Sequence, residues 1–235
     1  MELTHIPSEK RFHVHEGWLD SRFAFSFDRY YDPANVSFGA LRVLNDDRIA
    51  AASGFPTHPH REMEIVTLLL DGELEHRDST GARQRMVAGD VQRMTAGTGI
   101  AHSEMNPNPK TPTHLLQIWV TPDTPRLAPG YEQQNFDPKA RAGRFVRVVA
   151  KVPQAGELSI HQDADFHLGT LTDGQALAFT PRAAGRRQYV FAIDGRATLD
   201  GRVLGTGDQA RIFGAETLPF VAGPDGAELL VIDLA

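Results

Sequence analysis

The chain has 235 residues, 24 Lys+Arg against 30 Asp+Glu for a formal net charge of −6, and no cysteine. Zero cysteine excludes disulfide scaffolds, zinc ribbons, iron–sulfur clusters and thiol nucleophiles, and leaves any metal to carboxylates and ten histidines. The acidic balance argues against direct nucleic-acid binding, which needs clustered Lys/Arg, and no segment approaches the roughly 18–20 apolar residues of a membrane span.

In chain order, the opening MELTHIPSEKRFHVHEGW holds no continuous apolar run, so no signal peptide is expected and the location is read as cytoplasmic. Its H-x-H, His13 and His15, has no hairpin glycine or later partner at suitable spacing, which predicts a structural or surface role. Short β-prone runs then recur at 23–27, 38–43, 65–70, 114–120, 145–149, 168–171, 189–193 and 228–234, separated by Gly, Pro and Asp. No long segment carries helical periodicity. This pattern predicts an all-β sandwich or barrel. Proline-rich loops at 107–112 and 122–129, the second followed by a polar stretch through Arg144, predict a division into two β units, 1–134 and 135–235.

An internal repeat supports two units. Residues 65–70 run into Asp71-Gly72, with Gly89-Asp90 following; residues 189–193 run into Asp194-Gly195, with Gly207-Asp208 following. The offset is 123 at the first marker (195 against 72) and 118 at the second (207 against 89), so the second copy is five residues shorter between them. Each Asp-Gly is predicted to close a type I′ hairpin, glycine accepting the positive φ.

The chemistry concentrates in His58-Pro59-His60-Arg61-Glu62-Met63-Glu64. Residues two apart on a strand share a face at roughly 6.6 Å between Cα atoms, so an extended backbone sends His58, His60 and Glu64 inward together. His102-Ser103-Glu104 repeats that parity 42 residues after His60 and adds an imidazole and a carboxylate. Nitrogen and oxygen donors without sulfur suit Fe(II), Mn, Ni, Cu or Zn.

These clusters resemble the two motifs of the cupin superfamily. Gly54, His58, His60, Glu64 and Gly72 fit the first; Gly89-Asp90, Gly97, His102 and Asn106 fit the second, with Thr95 where proline is usual and two extra residues before His102. The wording FGALRVLNDD, GFPTHPHREMEIVTLLLDGELEHRDSTG and GDVQRMTAGTGIAHSEMNP closely resembles the pirin family, in particular its bacterial quercetin-dioxygenase-like members, over most of 16–122; the second half is similar mainly in layout.

The resemblance implies an all-β bicupin, two jelly-roll β-barrels packed face to face, with a metal-binding N-terminal cupin (1–134) and a metal-free C-terminal one (135–235). It implies the ligands His58, His60, His102 and Glu104 for one divalent transition metal, Fe(II) first, with Ni, Mn, Cu, Co or Zn as alternatives. Glu104 could act as base as well as ligand. Glu64 matches the general cupin ligand, is not the one used in pirins, and is kept as a residue supporting a ligand histidine or replacing Glu104; a solvated loop carboxylate is the other reading of Glu104. Subtraction along the repeat maps His58, His60 and Glu64 to Pro181, Ala183 and Arg187, and His102 and Glu104 to Phe220 and Ala222, none of them an imidazole or carboxylate.

The implied function is ring-opening oxidation of a flavonol such as quercetin with O2. The alternatives are a non-enzymatic, metal- or redox-responsive regulator binding a partner protein, and a cupin isomerase or other small-molecule enzyme. His76, just after the hairpin, is predicted on an edge-strand surface, with reach to the pocket as the other reading; His114, His161 and His167 are without convergent partners, and Arg186–Arg187 is read as a solvated pair.

Overall fold

The structure, a computed structural model, describes all 235 residues. It has no α-helix, only 3-10 turns at Ser8–Lys10 and Pro138–Arg141. In chain order the strands are β1 (Glu2–Ile6), β2 (Phe12–His15), β3 (Leu19–Phe23), β4 (Leu41–Ile49), β5 (Gly54–His60), β6 (Glu64–Asp71), β7 (Glu73–Asp78), β8 (Arg83–Val87), β9 (Asp90–Thr95), β10 (Ile100–Met105), β11 (Thr113–Val120) and β12 (Gly130–Asn135). There follow β13 (Phe145–Ala150), β14 (Leu158–Ser159), β15 (Ala164–Leu171), β16 (Ala176–Phe179), β17 (Arg187–Leu199), β18 (Arg202–Gly205), β19 (Gln209–Phe213) and β20 (Leu218–Leu234).

The chain forms two units. The N-terminal unit comprises Phe12–Phe136 with Leu158–Gln162, and the C-terminal unit comprises Met1–Arg11, Asp137–Glu157 and Asp163–Ala235. Against the expected segments 1–134 and 135–235, the first eleven residues and the segment Leu158–Gln162 each lie in the other unit. The segment 158–162 is tied in by Arg93, whose Nε donates to the Ser159 carbonyl at 2.8 Å, and by Ser159, whose main-chain N donates to Glu132 at 2.9 Å.

The N-terminal unit has a seven-stranded sheet, β12-β9-β6-β11-β4-β3-β2, and a four-stranded sheet, β5-β10-β7-β8, all antiparallel. Leu19, Ile49, Leu69 and Leu115 from the large sheet pack with Leu74 and Met86 from the small one, so an apolar core fills one end of the space between them. β6 is buried along nearly its whole length because it is central in its sheet and covered on both faces.

The C-terminal unit repeats this order. Its strands run β1-β19-β17-β20-β15-β13, with β16 on β20 and β18 on β17. The row β19-β17-β20-β15 corresponds to β9-β6-β11-β4, and β16, β20, β17 and β18 pair as β5, β10, β7 and β8 do. β1 occupies beside β19 the edge that β12 occupies beside β9, which is the physical reason the N-terminal residues belong here.

The repeat is real, but its Asp-Gly markers are not hairpins. β6 pairs with β9 and β11, and β7 with β8 and β10, so Asp71-Gly72 is a corner where the chain passes from one sheet to the other. A type I′ turn needs two positive φ values; here Gly72 (80°) and Gly195 (70°) have them and Asp71 and Asp194 do not. Gly195 lies inside β17, where the pairing with β20 shifts register on both sides of it. A Cβ there would meet the Gly226 carbonyl oxygen at 2.3 Å, so close passage of β17 across β20 requires glycine. The all-β, two-cupin architecture inferred from sequence is the one observed.

Candidate metal centre

β10 alternates strictly between buried and half-buried residues, which sends Ile100, His102 and Glu104 into the N-terminal unit. Its neighbour β5 places His58 directly opposite His102 and His60 opposite Ile100. Gly54 at the start of β5 permits this approach, since a Cβ there would lie 2.3 Å from the Glu104 carbonyl oxygen. The result is a knot of imidazoles: ring centroids lie 4.7 Å apart for His58–His60, 4.5 Å for His58–His102 and 4.8 Å for His60–His102. One ring nitrogen from each falls within 4.8 Å of the others.

The fourth predicted residue lies beside His102 on the same face of β10. Glu104 is 2% exposed, which rules out a solvated loop carboxylate. It rests on a row of polar side chains that crosses four adjacent strands of the opposing sheet in register: Gln92 on β9, Thr67 on β6, Gln117 on β11 and Asn45 on β4. Gln92 Nε2 donates to Glu104 Oε1 at 2.8 Å and Gln117 Nε2 donates to Oε2 at 2.7 Å. Thr67 donates to Gln117 Oε1 at 2.9 Å. Each carboxylate oxygen thus has a fixed amide donor, which orients the group and offsets the cost of burying it. Sequence reasoning passed over this row. Its signal was a polar residue at inward parity inside an apolar strand, Thr67 between Ile65 and Leu69 and Gln117 between Leu115 and Trp119.

Two other carboxylate and histidine expectations come out differently. Glu64 is not brought to the four: Glu62 takes φ 52° between β5 and β6, which breaks the extended run on which the parity count relied. Glu64 is instead fully buried on the other face of β6, its Oε2 accepting from the His161 main-chain N at 3.3 Å and lying 3.4 Å from His161 Nδ1. His76, expected at the surface, is fully buried, because β7 lies inside the small sheet between β10 and β8 and Tyr131 stacks on its ring at 4.6 Å. His76 Nδ1 lies 3.5 Å from His102 Nδ1, and His76, His102 and Glu104 form a second group within 4.8 Å. Of the remaining histidines, His13 and His15 lie against Asp20 at the surface (3.0 and 3.3 Å), and His114 pairs with Asp46 at 2.7 Å. Arg186 is not solvated; it is buried against Asp233 and Asp163.

Electrostatics keep two of these imidazoles, His60 and His102, neutral. Burial, reinforced by the neighbouring histidines, pushes His60 down to about 4 and His102 down to about 3. His58 Nδ1 donates to the Pro56 carbonyl at 2.8 Å, which leaves its Nε2 as a bare lone pair facing His102 Nε2 at 3.1 Å. Converging imidazole lone pairs beside a carboxylate form the donor set of a borderline divalent cation, so the residues present fit such an ion. A cavity of about 160 Å³ opens onto them, walled by Phe27, Phe55 and Trp119 and by Asn45, Asp47 and Gln117. Burial drives Asp47 up to about 7, with Asp46 and Glu104 adding to the shift against a hydrogen bond from Ser21. Asp47 therefore keeps its proton well above the pH at which an ordinary carboxyl loses it.

The chain was compared with known proteins. The family profile described as Pirin matches residues 6–120, and that described as Quercetinase C-terminal cupin domain matches residues 147–234. A curated relative from Escherichia coli (strain K12), named quercetin 2,3-dioxygenase, is 41% identical over 228 residues, covering 97% of this chain and 96% of that protein. A pirin-like protein from Caulobacter vibrioides is 39% identical over 230 residues, covering 97% and 98%. Among solved structures, the bacterial pirin YhhW of Escherichia coli in complex with nickel(II) superposes with a TM-score of 0.93 at 37% identity, covering 99% of each chain.

Proposed function

The chain belongs to the pirin family, and from that premise we propose that it is a cytoplasmic, metal-dependent dioxygenase acting with O2 on a small aromatic substrate, in the first instance a flavonol such as quercetin. His58, His60, His102 and Glu104 would hold one divalent transition metal, Fe(II) first, with Ni, Mn, Cu, Co and Zn compatible with the same donors. The observation that carries this reading is the convergence of the three imidazoles of His58, His60 and His102 beside a buried, amide-tethered carboxylate, with His58, His60 and Glu104 lining one cavity. When bound, such a metal supplies Lewis acidity that favours an ionised substrate hydroxyl.

The protein's own groups account for the rest. Glu104 is held as an acceptor by Gln92 and Gln117 and is the base proposed to take the substrate hydroxyl proton. Phe27, Phe55 and Trp119 exclude water and offer ring faces and edges to an aromatic substrate. Asp47, neutral below about 7, can donate a hydrogen bond to a polar atom of that substrate.

Anaerobic reconstitution with each metal in turn, followed by O2 and quercetin, tests the activity. Turnover with at least one metal is expected. Metal uptake without turnover by any of them overturns the dioxygenase while leaving the site.

One observation favours a second reading. The cavity, about 160 Å³, is smaller than the ~300–1,000 Å³ usual for ligand pockets, so a three-ring flavonol would be only partly enclosed. A non-enzymatic regulator whose surface responds to the metal's redox state needs no larger space. Trp119→Ala separates the two: with metal content unchanged, enlarging the wall alters flavonol turnover in an enzyme, whereas a regulator shows partner binding that differs between Fe(II) and Fe(III).

A further inference from the structure

We infer that Asn45 sets the specificity of the cavity: its side-chain amide takes the hydroxyl of one enclosed aromatic ring, so the group selected is a hydroxylated ring, free or as one end of a larger phenol. This rests on the aromatic substrate proposed above for the same cavity, and not on its turnover.

The inward row of β4 reads Leu41, Val43, Asn45, Asp47, Ile49, so two polar side chains interrupt an apolar face that is buried along its length. Both line the cavity, together with Glu104 and Gln117. Three of these four are hydrogen-bonded within the protein. Glu104 accepts from Gln92 and Gln117, Gln117 accepts from Thr67, and Asp47 accepts from Ser21. Asn45 is the exception. It is 4% exposed, and its Oδ1 is enclosed with no hydrogen-bonding partner. An orphaned buried acceptor costs stability unless a donor is supplied from outside the chain, and the cavity is where a ligand can supply it.

The chemistry of the walls narrows that ligand. Phe27, Phe55 and Trp119 line the cavity with rings, Phe27 meeting Trp119 edge-on at 5.3 Å, which suits a flat apolar body. A cavity of about 150 Å³ is enough to hold benzene, so one of about 160 Å³ takes a single six-membered ring. The carboxyl groups of Asp47 and Glu104 in the same wall disfavour an anionic substituent. A phenolic hydroxyl answers the amide whichever way it is turned, donating to Oδ1 or accepting from the NH2. It also reproduces the bonds of any water it displaces, which a bare ring does not.

Register gives the anchored ring a direction. Asn45 stands opposite Gln117, whose Nε2 holds Glu104. The amide therefore lies one strand spacing, about 4.8 Å, beyond Gln117 on the side away from Gln92 and Thr67. A hydroxyl held there is bound apart from Glu104, which leaves a second substrate oxygen to the histidine end of the cavity.

Titration of metal-free protein with phenol and with benzene, read from the Trp119 indole N–H signal in proton–nitrogen spectra, tests this without any turnover. Phenol should bind about 5–150-fold more tightly than benzene, the difference between pairing a buried amide and leaving it unpaired. Asn45→Leu keeps the approximate size of the side chain without its polar atoms and should bring the two dissociation constants together. Asn45→Ala, which removes the amide and adds space, should lose the preference in the same way. A preference that survives both substitutions assigns the hydroxyl to Glu104 or Asp47 and overturns the role of Asn45. Wild-type protein that binds the two probes equally, or neither of them, overturns it too. If the preference behaves as described while no reconstituted metal turns over quercetin, the dioxygenase reading fails and the Asn45 subsite stands.

Discussion

The two units share one strand order and differ in what lies between their sheets. In the N-terminal unit the row Gln92–Thr67–Gln117 crosses three paired strands; the C-terminal positions in the same register are Ala210, Val190 and Val231. His102 and Glu104 correspond to Phe220 and Ala222, which pair with Leu199 and Ala197 as His102 and Glu104 pair with Asp78 and His76. Leu177 stands opposite Phe220 where His58 stands opposite His102. Every one of these C-terminal residues belongs to or packs on a single apolar cluster. The same backbone is thus filled once with hydrocarbon and once with a hydrogen-bonded polar set. The first filling supplies stability through burial, whereas the second offsets its burial cost through the hydrogen bonds among Glu104, Gln92, Thr67 and Gln117, although Gln92 Oε1 has no partner.

That contrast can be broken most severely in the hydrocarbon. Phe220→Ala should cost about 3–5 kcal/mol, as large-to-small changes of buried aromatics do, measured by urea unfolding, with the metal content of the surviving folded protein unchanged. Glu104→Ala should do the opposite. It leaves the Gln117 amide donor without an acceptor and Gln92 with Thr67 alone, for a loss of about 1–3 kcal/mol, and abolishes metal retention on dialysis. Adding metal at a hundredfold excess over its Kd should stabilise by about 2.7 kcal/mol, with slowed amide exchange confined to β5, β6, β9, β10 and β11.

Two smaller effects sharpen the comparison through pH. Asp47→Asn removes a carboxyl whose folded value lies near 7, above the unfolded one. Such a group weakens the fold as pH rises from about 4 through 7, so the variant's Tm in metal-free protein should exceed the wild type's at pH 8 and match it at pH 4. The buried histidines run the other way. His60 and His102 in one unit and His167 in the other are held near 4, 3 and 4, so the unfolded chain takes up protons first. Metal-free stability should be level above pH 7 and fall as pH drops through 6.5 toward 4. His167→Asn should flatten that fall only partly, because two of the three groups lie in the other unit; a full loss of the slope would contradict this assignment.

Much of the site was legible in the sequence because its residues sit on strands with clear parity: His58 with His60, and His102 with Glu104. Parity failed where the backbone was not extended. The positive φ of Glu62 turned Glu64 to the far face of β6. His76 reads as surface before pocket because ELEHRD has the alternating charged look of an edge strand, and only tertiary placement beside β10 and under Tyr131 buries it. The Asp-Gly markers located the repeat correctly yet implied the wrong local shape, since a sheet-to-sheet corner and a hairpin both call for glycine. Subtraction through those markers carried His102 and Glu104 to their true counterparts. It sent His58 to Pro181, past the end of β16, because the spacing before the corner is not preserved.

β1 has a consequence for biogenesis. Its ladder partner is β19, from Glu2 against Phe213 to Ile6 against Gln209, and His5 and Ser8 both reach Asp208. Residues 2–6 leave the ribosome about 200 residues ahead of the strand that receives them, a wait on the order of tens of seconds at ~5–20 residues per second. Throughout translation this short ribbon waits for β19 while the intervening residues fold, and its pairing is among the last steps. A fusion or epitope attached at Met1 would therefore burden the final zippering of the opposite end of the polypeptide, with nascent-chain yield suffering before any property of the histidine cluster does.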